Sequence, residues 1–256
     1  MIPVNAIIKE VIKETPTITT LKFDIKPDAI PGQFVMVWIR GVDEIPMALS
    51  YPNGITVQNV GDASETLSNM EPGDSIGLRG PLGNGFELSG QRIMIIAGGV
   101  GAAPLLPLAH QLRLKGTKIS ILLGAKTSKE LLFEEQFSRS GEINVATDDG
   151  SKGYHGVITG LMDTYDLNSF DMFYVCGPEM MMRAVLDMLH TNSLESISQF
   201  SLHRYFKCGI GVCGSCTIDP SGLRVCKDGP VFYGNILLNS ELGKYHRDIT
   251  GKKIMF

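Results

Sequence analysis

Four cysteines, Cys208, Cys213, Cys216 and Cys226, crowd into one short stretch with the spacing C-x4-C-x2-C-x9-C. Thiolates are soft ligands that favour iron–sulfur clusters and zinc. The first three cysteines follow the plant-type ferredoxin run, in which the fourth ligand arrives later in the chain. Gly209, Gly211 and Gly214 lie between them. Without side chains, these positions let backbone N–H groups come close to inorganic sulfide. Structural zinc commonly takes two short cysteine knuckles, and here only Cys213 and Cys216 form one. The spacing therefore predicts a 2Fe–2S cluster, with zinc as the competing reading. A plant-type cluster passes single electrons near about −400 mV.

Two further stretches could bind a nucleotide. Ile95-Ile96-Ala97-Gly98-Gly99-Val100-Gly101 ends an apolar run and precedes an amphipathic one. Glycines at a strand-to-helix turn let a pyrophosphate rest against the helix N-terminus, so Gly98, Gly99 and Gly101 are candidate contacts. The spacing is G-G-x-G rather than the general G-x-G-x-x-G fingerprint, and a tight turn alone would explain it equally well. The second stretch is Cys176-Gly177-Pro178, which follows a later apolar run. A lone cysteine is more often a plain buried thiol. Its place at a strand's carboxyl end, where open sheets bind ligands, favours a role for all three residues beside the nucleotide.

The elements that must position these residues change along the chain. Leu21, Phe23 and Ile25 alternate with polar residues, as do Ile55, Val57 and Asn59, and Phe34–Ile39 is continuously apolar. Turn clusters at Pro31-Gly32, Tyr51–Gly54 and Glu71–Asp74 separate these runs, which predicts a small antiparallel barrel. Beyond Gln91 the pattern becomes strand–helix alternation, the sign of a parallel α/β sheet. Strands are expected at Arg92–Ala97, Ile119–Leu123 and Met172–Cys176. Helices are expected through Leu105–Leu112, around Glu130–Phe137 and from Pro178 to His190, with Met180-Met181-Met182 packing as helix core. The expected divisions are a barrel over 1–90, an α/β domain over 91–204 and a cluster module with its tail over 205–256.

The whole composition narrows the function classes. The chain has 256 residues, 43% hydrophobic and 20% charged, with a net charge of −4. No basic stripe suggests a nucleic-acid partner. The apolar runs are too short to span a bilayer, and the first residues lack the pattern of a signal peptide. The expectation is a soluble, cytoplasmic protein. Five cysteines, four of them clustered, argue for a metal site over a disulfide framework. No Ser/His/Asp triad or carboxylate pair suggests hydrolysis.

Taken together, a barrel, then Gly-Gly-Val-Gly-Ala-Ala-Pro-Leu from Gly98, then Cys176-Gly177-Pro178, resembles the ferredoxin-reductase superfamily. The cysteine run with Val225-Cys226-Lys227-Asp228-Gly229-Pro230-Val231-Phe232 closely resembles the electron-transfer subunit of type B dihydroorotate dehydrogenase. Gly80-Pro81-Leu82-Gly83-Asn84-Gly85-Phe86 and Thr147-Asp148-Asp149-Gly150 match it as well. That resemblance implies FAD on the barrel, NAD on the α/β domain and a 2Fe–2S cluster in the C-terminal module. A flavin would convert between hydride and single electrons. The resemblance places FAD against Met47, Ala48, Leu49 and Ser50, where the family usually shows Arg-Pro-x-Ser. It adds Gln58, Asn59 and Val60 along the ring and ribitol, and Ala63 and Ser64 in place of a Gly-Thr pair. The arginine that would face the pyrophosphate is Met47 here.

The implied activity is electron transfer in pyrimidine (UMP) biosynthesis, within a heterotetramer. Electrons would come from the FMN of a separate dihydroorotate-oxidising subunit and end on NAD+, and this chain would have no substrate-oxidising residue. The loop Gly124–Glu130 carries two lysines and one glutamate and does not decide between NAD and NADP. Two alternatives stay open. One is an electron-transfer subunit of another complex, a hydrogenase or a ferredoxin:NADP oxidoreductase. The other is a metal-binding module without redox turnover.

Overall fold

Short apolar runs punctuated by glycine and proline close into a barrel in the first third of the chain. A computed structural model describes residues 2–256, with Met1 outside them. The barrel strands are β1 (Val4–Lys13), β2 (Ile18–Phe23), β3 (Phe34–Ile39), β4 (Asp43–Tyr51), β5 (Gly54–Gln58) and β6 (Ser75–Leu82), with helix α1 (Asp62–Ser68) between the last two. They close in the order β1-β2-β5-β4-β3-β6, every pairing antiparallel. Ile8, Leu21, Val35, Val37, Ile55, Val57 and Ile76 fill the interior. The run Phe34–Ile39 is continuous because β3 is buried on both faces over Phe34–Val37, with only Trp38 exposed. Val35, Val37 and Ile39 point into the barrel, while Phe34 and Met36 join the core beyond it. Ile25 and Asn59 lie just outside strands, since β2 ends at Phe23 and β5 at Gln58.

From Arg92 the chain alternates. Its elements are β7 (Arg92–Gly98), α2 (Ala102–Leu114), β8 (Lys118–Ala125), α3 (Glu134–Ser138), β9 (Glu142–Thr147), β10 (Tyr154–His155), α4 (Ile158–Met162), β11 (Met172–Cys176), α5 (Glu179–Thr191) and β12 (Ser198–Ser201). In β7, Ile93, Ile95 and Ala97 face α2, while Met94 and Ile96 face the α4 and α5 layer. That two-sided burial is what a central parallel strand requires. The helix expected around Glu130–Phe137 is only the five-residue α3. Leu131, Leu132 and Phe133 reach the α2-side core from a loop instead, and Phe133 adopts a left-handed φ of 62°.

The C-terminal stretch holds β13 (Thr217–Ile218), β14 (Leu223–Arg224), α6 (Val225–Asp228), β15 (Val231–Tyr233), α7 (Gly234–Leu237), β16 (Tyr245–Arg247) and β17 (Lys253–Met255). β15 pairs antiparallel with β12 and becomes the seventh strand of the sheet, whose order is β10-β9-β8-β7-β11-β12-β15. The stretch read as a separate module thus contributes to the α/β sheet. The final residues, which show little pattern in the sequence, pair as the hairpin β16–β17.

Candidate redox site

The loop from Cys208 to Cys216 folds around its own sulfurs. The N–H groups of Ile210 and Val212 donate to Cys208 Sγ at 3.4 and 3.3 Å, and that of Gly211 donates to Cys226 Sγ at 3.1 Å. Such inward-pointing donors require a curled backbone, and Gly209, Gly211 and Gly214 supply it with φ of 69°, 78° and 76°. Other L-residues rarely adopt that region.

The Cys226 N–H donates to Cys216 Sγ at 3.4 Å, so backbone donors from this stretch serve Cys208, Cys216 and Cys226 alike. Burial pushes the Cys208 thiol up, but N–H donors from Cys213, Ile210 and Val212 outweigh it and hold it down at about 6. Burial, and then the neighbouring Cys216, pushes the Cys226 thiol up to about 12. Among the described residues no three His, Cys, Asp or Glu side chains converge on a single-ion position. Four clustered thiols with backbone N–H groups aimed at three of the sulfurs fit a 2Fe–2S cluster, whose sulfurs accept such hydrogen bonds.

The two nucleotide motifs, 75 residues apart in sequence, interlock in space. β7 and β11 are parallel neighbours with Ala97 opposite Cys176. A Cβ on Gly101 would stand 2.5 Å from the Cys176 carbonyl oxygen, and one on Gly98 would stand 2.5 Å from Met181 Sδ. A Cβ on Gly177 would meet Met181 Cε at 2.5 Å. Gly101 is thus required by close packing against backbone, whereas Gly98 and Gly177 meet the flexible end of Met181, with Pro178 Cδ also close to Gly98. Gly99 differs: its φ is 50° and nothing lies within 4 Å of a Cβ built there. It is the one of these glycines with open space at its Cβ position. Burial raises the Cys176 thiol to about 12, so it stays a neutral thiol. The three methionines divide, because only Met182 is core, Met181 covers the glycines and Met180 is exposed.

On the barrel, Met47, Ala48, Leu49 and Ser50 lie on β4. Met47 packs toward the barrel interior. The Ser50 hydroxyl is buried and hydrogen-bonded to Thr56 Oγ1 at 2.7 Å, which bonds Thr20 Oγ1 at 2.8 Å. Gln58 ends β5 and Asn59 follows it, while the apolar Val60 is 80% exposed. Ala63 and Ser64 sit in the first turn of α1, where Ser64 Oγ accepts from the Val60 and Gly61 N–H groups at 2.9 and 3.0 Å. That hydroxyl shapes the turn. β4 carries no cation along its length.

The barrel is the middle piece. β4 packs against α2, and β5 against the Gly99–Gly101 turn. On another side, Phe34 of β3 meets Phe206 edge-to-face at 5.0 Å, and one core runs from Phe34 and Met36 through Phe206 to Cys216 and Cys226. Sequence reasoning missed several side chains at these joints. Arg79 on β6 donates to the Cys208 carbonyl, and Asn84 donates to the carbonyls after Cys226. Arg204, 4% exposed, pairs with Glu179 at 2.6 Å and Glu241 at 3.2 Å. It ties the start of α5, next to Pro178, to the C-terminal stretch. Arg79 and Arg204 carry no local spacing signal. Asn84 stands inside a motif the sequence singles out, without a role attached to it.

Comparison with known proteins agrees with this architecture. Residues 203–238 match the iron–sulfur cluster binding domain of dihydroorotate dehydrogenase B, and residues 95–187 match an oxidoreductase NAD-binding domain. A protein of Methanocella arvoryzae described as a probable dihydroorotate dehydrogenase B (NAD(+)), electron transfer subunit, is 54% identical, with 99% of each chain covered. A protein of Methanocaldococcus jannaschii with the same description is 43% identical, again over 99% of each. Among solved structures, an NADH-dependent reduced ferredoxin-NADP oxidoreductase superposes with a TM-score of 0.82 at 30% identity, covering 90% of this chain and 88% of that one. The flavohem-like FAD/NAD binding domain of a Vibrio cholerae nitric oxide dioxygenase gives 0.71 at 21% identity, covering 79% and 99%, and shares the fold.

Proposed function

This chain belongs to the family of dihydroorotate dehydrogenase B electron-transfer subunits, and from that premise we propose that it carries electrons from a dihydroorotate-oxidising partner to NAD+ in pyrimidine biosynthesis. A cluster held by the four cysteines would supply single-electron transfer, and a flavin on β4 and β5 would convert between two such electrons with a proton and the hydride of NADH. The balance is dihydroorotate plus NAD+ giving orotate, NADH and a proton, with the substrate oxidised on the partner subunit.

The observation that carries the reading is the place of the barrel. Its β4–β5 side touches the nicotinamide turn and its β3–β6 side touches the cluster loop. A flavin held by β4 and β5 would lie between the two. In this reading Cys208, Cys213, Cys216 and Cys226 ligate the irons. Gly99 admits the nicotinamide nucleotide, while Gly98, Gly101, Cys176, Gly177 and Pro178 shape the crevice around it. Met47, Ala48, Leu49, Ser50, Gln58, Asn59 and Val60 line the flavin. Ala63 and Ser64 at the start of α1 complete the flavin site as the family pattern implies, and β4 brings no cation to the pyrophosphate. Five free cysteines suit a reducing cytoplasm, where the chain would assemble as a heterotetramer of two copies of each subunit.

The purified chain is expected to show flavin and iron–sulfur absorption and to pass electrons from NADH to artificial acceptors. Cys226→Ser should remove the iron–sulfur bands and leave flavin reduction by NADH intact. Dihydroorotate oxidation by the single chain would sink the division of labour, and a colourless protein holding stoichiometric zinc would sink the redox reading.

A further inference from the structure

The Gly80–Phe86 motif and the Asp228–Phe232 motif, separate in the sequence, touch each other in the fold. A Cβ on Gly83 would stand 2.6 Å from the Gly229 carbonyl oxygen and 2.7 Å from Pro230 Cδ. The Asn84 N–H donates to that Gly229 carbonyl at 2.6 Å. Asn84 Nδ2 donates to the carbonyls of Asp228 at 3.0 Å and Lys227 at 3.3 Å. These residues directly follow Cys226.

A few residues earlier on the same stretch stands Arg79. Its Nε and Nη2 fork onto the Glu44 carboxylate at 3.0 and 2.7 Å, and Nη1 donates to the Cys208 carbonyl at 3.0 Å. The pair is largely buried, with 11% of the arginine and 26% of the glutamate side chain exposed. A bidentate carboxylate fixes the plane of a guanidinium, so the remaining N–H is aimed rather than free to wander. Beneath it the curled backbone at Gly209 rests on Met36 and Leu82, leaving no room for a Cβ.

Cys208 and Cys226 are the first and last cysteines of the run. One stretch of the barrel, Arg79 to Asn84, therefore grips both ends of the cluster site. Simple apolar packing would need neither the fork nor the amide. We propose that Arg79 and Asn84 are positioning residues that hold the two ends of the cysteine run at a fixed distance and orientation from the flavin strands. This rests on the cofactor assignment above.

The test uses the full chain loaded with FAD and cluster, comparing Arg79→Met, Arg79→Lys and Asn84→Ala with the parent. Stopped-flow mixing with NADH separates bleaching of the flavin from bleaching of the cluster, and a chelator reports release of iron. Flavin bleaching should stay at the parent rate. Cluster bleaching should slow by roughly tenfold or more in Arg79→Met, the scale for lost outer-shell support of a metal site, and by less in Asn84→Ala, with faster iron release in both. Arg79→Lys should not restore the rate, because an ammonium cannot fork onto Glu44 and reach the carbonyl as well. Full rescue by lysine would assign the effect to charge and remove the positioning role. Parent rates of cluster bleaching and iron release in fully loaded Arg79→Met and Asn84→Ala would overturn the proposal. If Arg79→Met cannot be loaded, Asn84→Ala decides by the same two rates. Selective iron loss from both variants, with FAD and its reduction intact, supports the clamp. A parent chain without iron or flavin would instead refute the cofactor assignment.

Discussion

On its β3–β6 side the barrel shares a continuous apolar core with the cysteine loop, and the Arg79 and Asn84 hydrogen bonds close the joint. On its β4–β5 side it meets the α/β domain through α2 and a glycine turn, with Gly99 left open. The two joints suit different demands. A resident cluster needs a fixed separation and no traffic. On the other side Tyr51 of β4 also packs on Phe133 of the α2-side core, so the difference lies in the open turn at Gly99, the room a nicotinamide that enters and leaves would need.

Met36→Ala should strike the first joint hardest. Met36 is fully buried and lies under Gly209. Emptying such a position costs about 2–5 kcal/mol. The expected result is a lower midpoint in denaturant, together with faster loss of iron, while NADH still reduces the flavin. A stability equal to the parent would mean that the shared core does not hold the cluster side.

Gly101→Ala strikes the second joint. Its φ of −61° suits alanine, so the penalty comes from the collision with the Cys176 carbonyl. Forcing one atom into such a contact costs about 1–3 kcal/mol. The turn should shift away from Cys176, raising the KM for NADH and slowing flavin bleaching, while dithionite still reduces the cluster at the parent rate. Equal damage to both reductions would erase the distinction between the joints.

How legible these joints are in the sequence follows from where their partners lie. The cysteine loop is local: ligands, glycines and N–H donors all come from one short stretch, so spacing carries its chemistry. The turn at Gly98–Gly101 is visible, but which glycine packs and which stays open depends on Met181 and Cys176, far along the chain. Arg79 is hidden because Ser75–Leu82 contains Gly77, Gly80 and Pro81 and does not read as a strand, although pairing with β1 and β3 makes it one. The apolar spacing of Leu131, Leu132, Phe133 and Phe137 fits one helix, yet only Phe137 reaches the core from α3, and the other three do so from a loop because tertiary contacts outweigh the weak local preference.

The smallest effect is expected at the rim of the cluster module. The β16–β17 hairpin and the cysteine loop line a cavity of about 250 Å³ between Cys213–Ser215 and Arg247–Gly251. Asp219 ties the hairpin down, bonded to Tyr245 at 2.5 Å, Arg247 at 2.7 Å and Lys253 at 3.4 Å. The Tyr245 hydroxyl, then Arg247, lower its carboxyl to about 2. An unfolded aspartate titrates near about 3.9. A depressed folded value means that the stabilisation is fully present above the unfolded value and is lost as pH falls through the folded one. The hairpin should therefore loosen between about pH 4 and pH 2, and Asp219→Asn should loosen it at neutral pH. Amide exchange over 245–255 reads this directly. The Cys208 joint, anchored by β3 and β6 rather than by this carboxylate, should keep its protection in Asp219→Asn. If exchange at 208–212 rises together with the hairpin, the cluster loop is held from its outer rim as well as from the barrel.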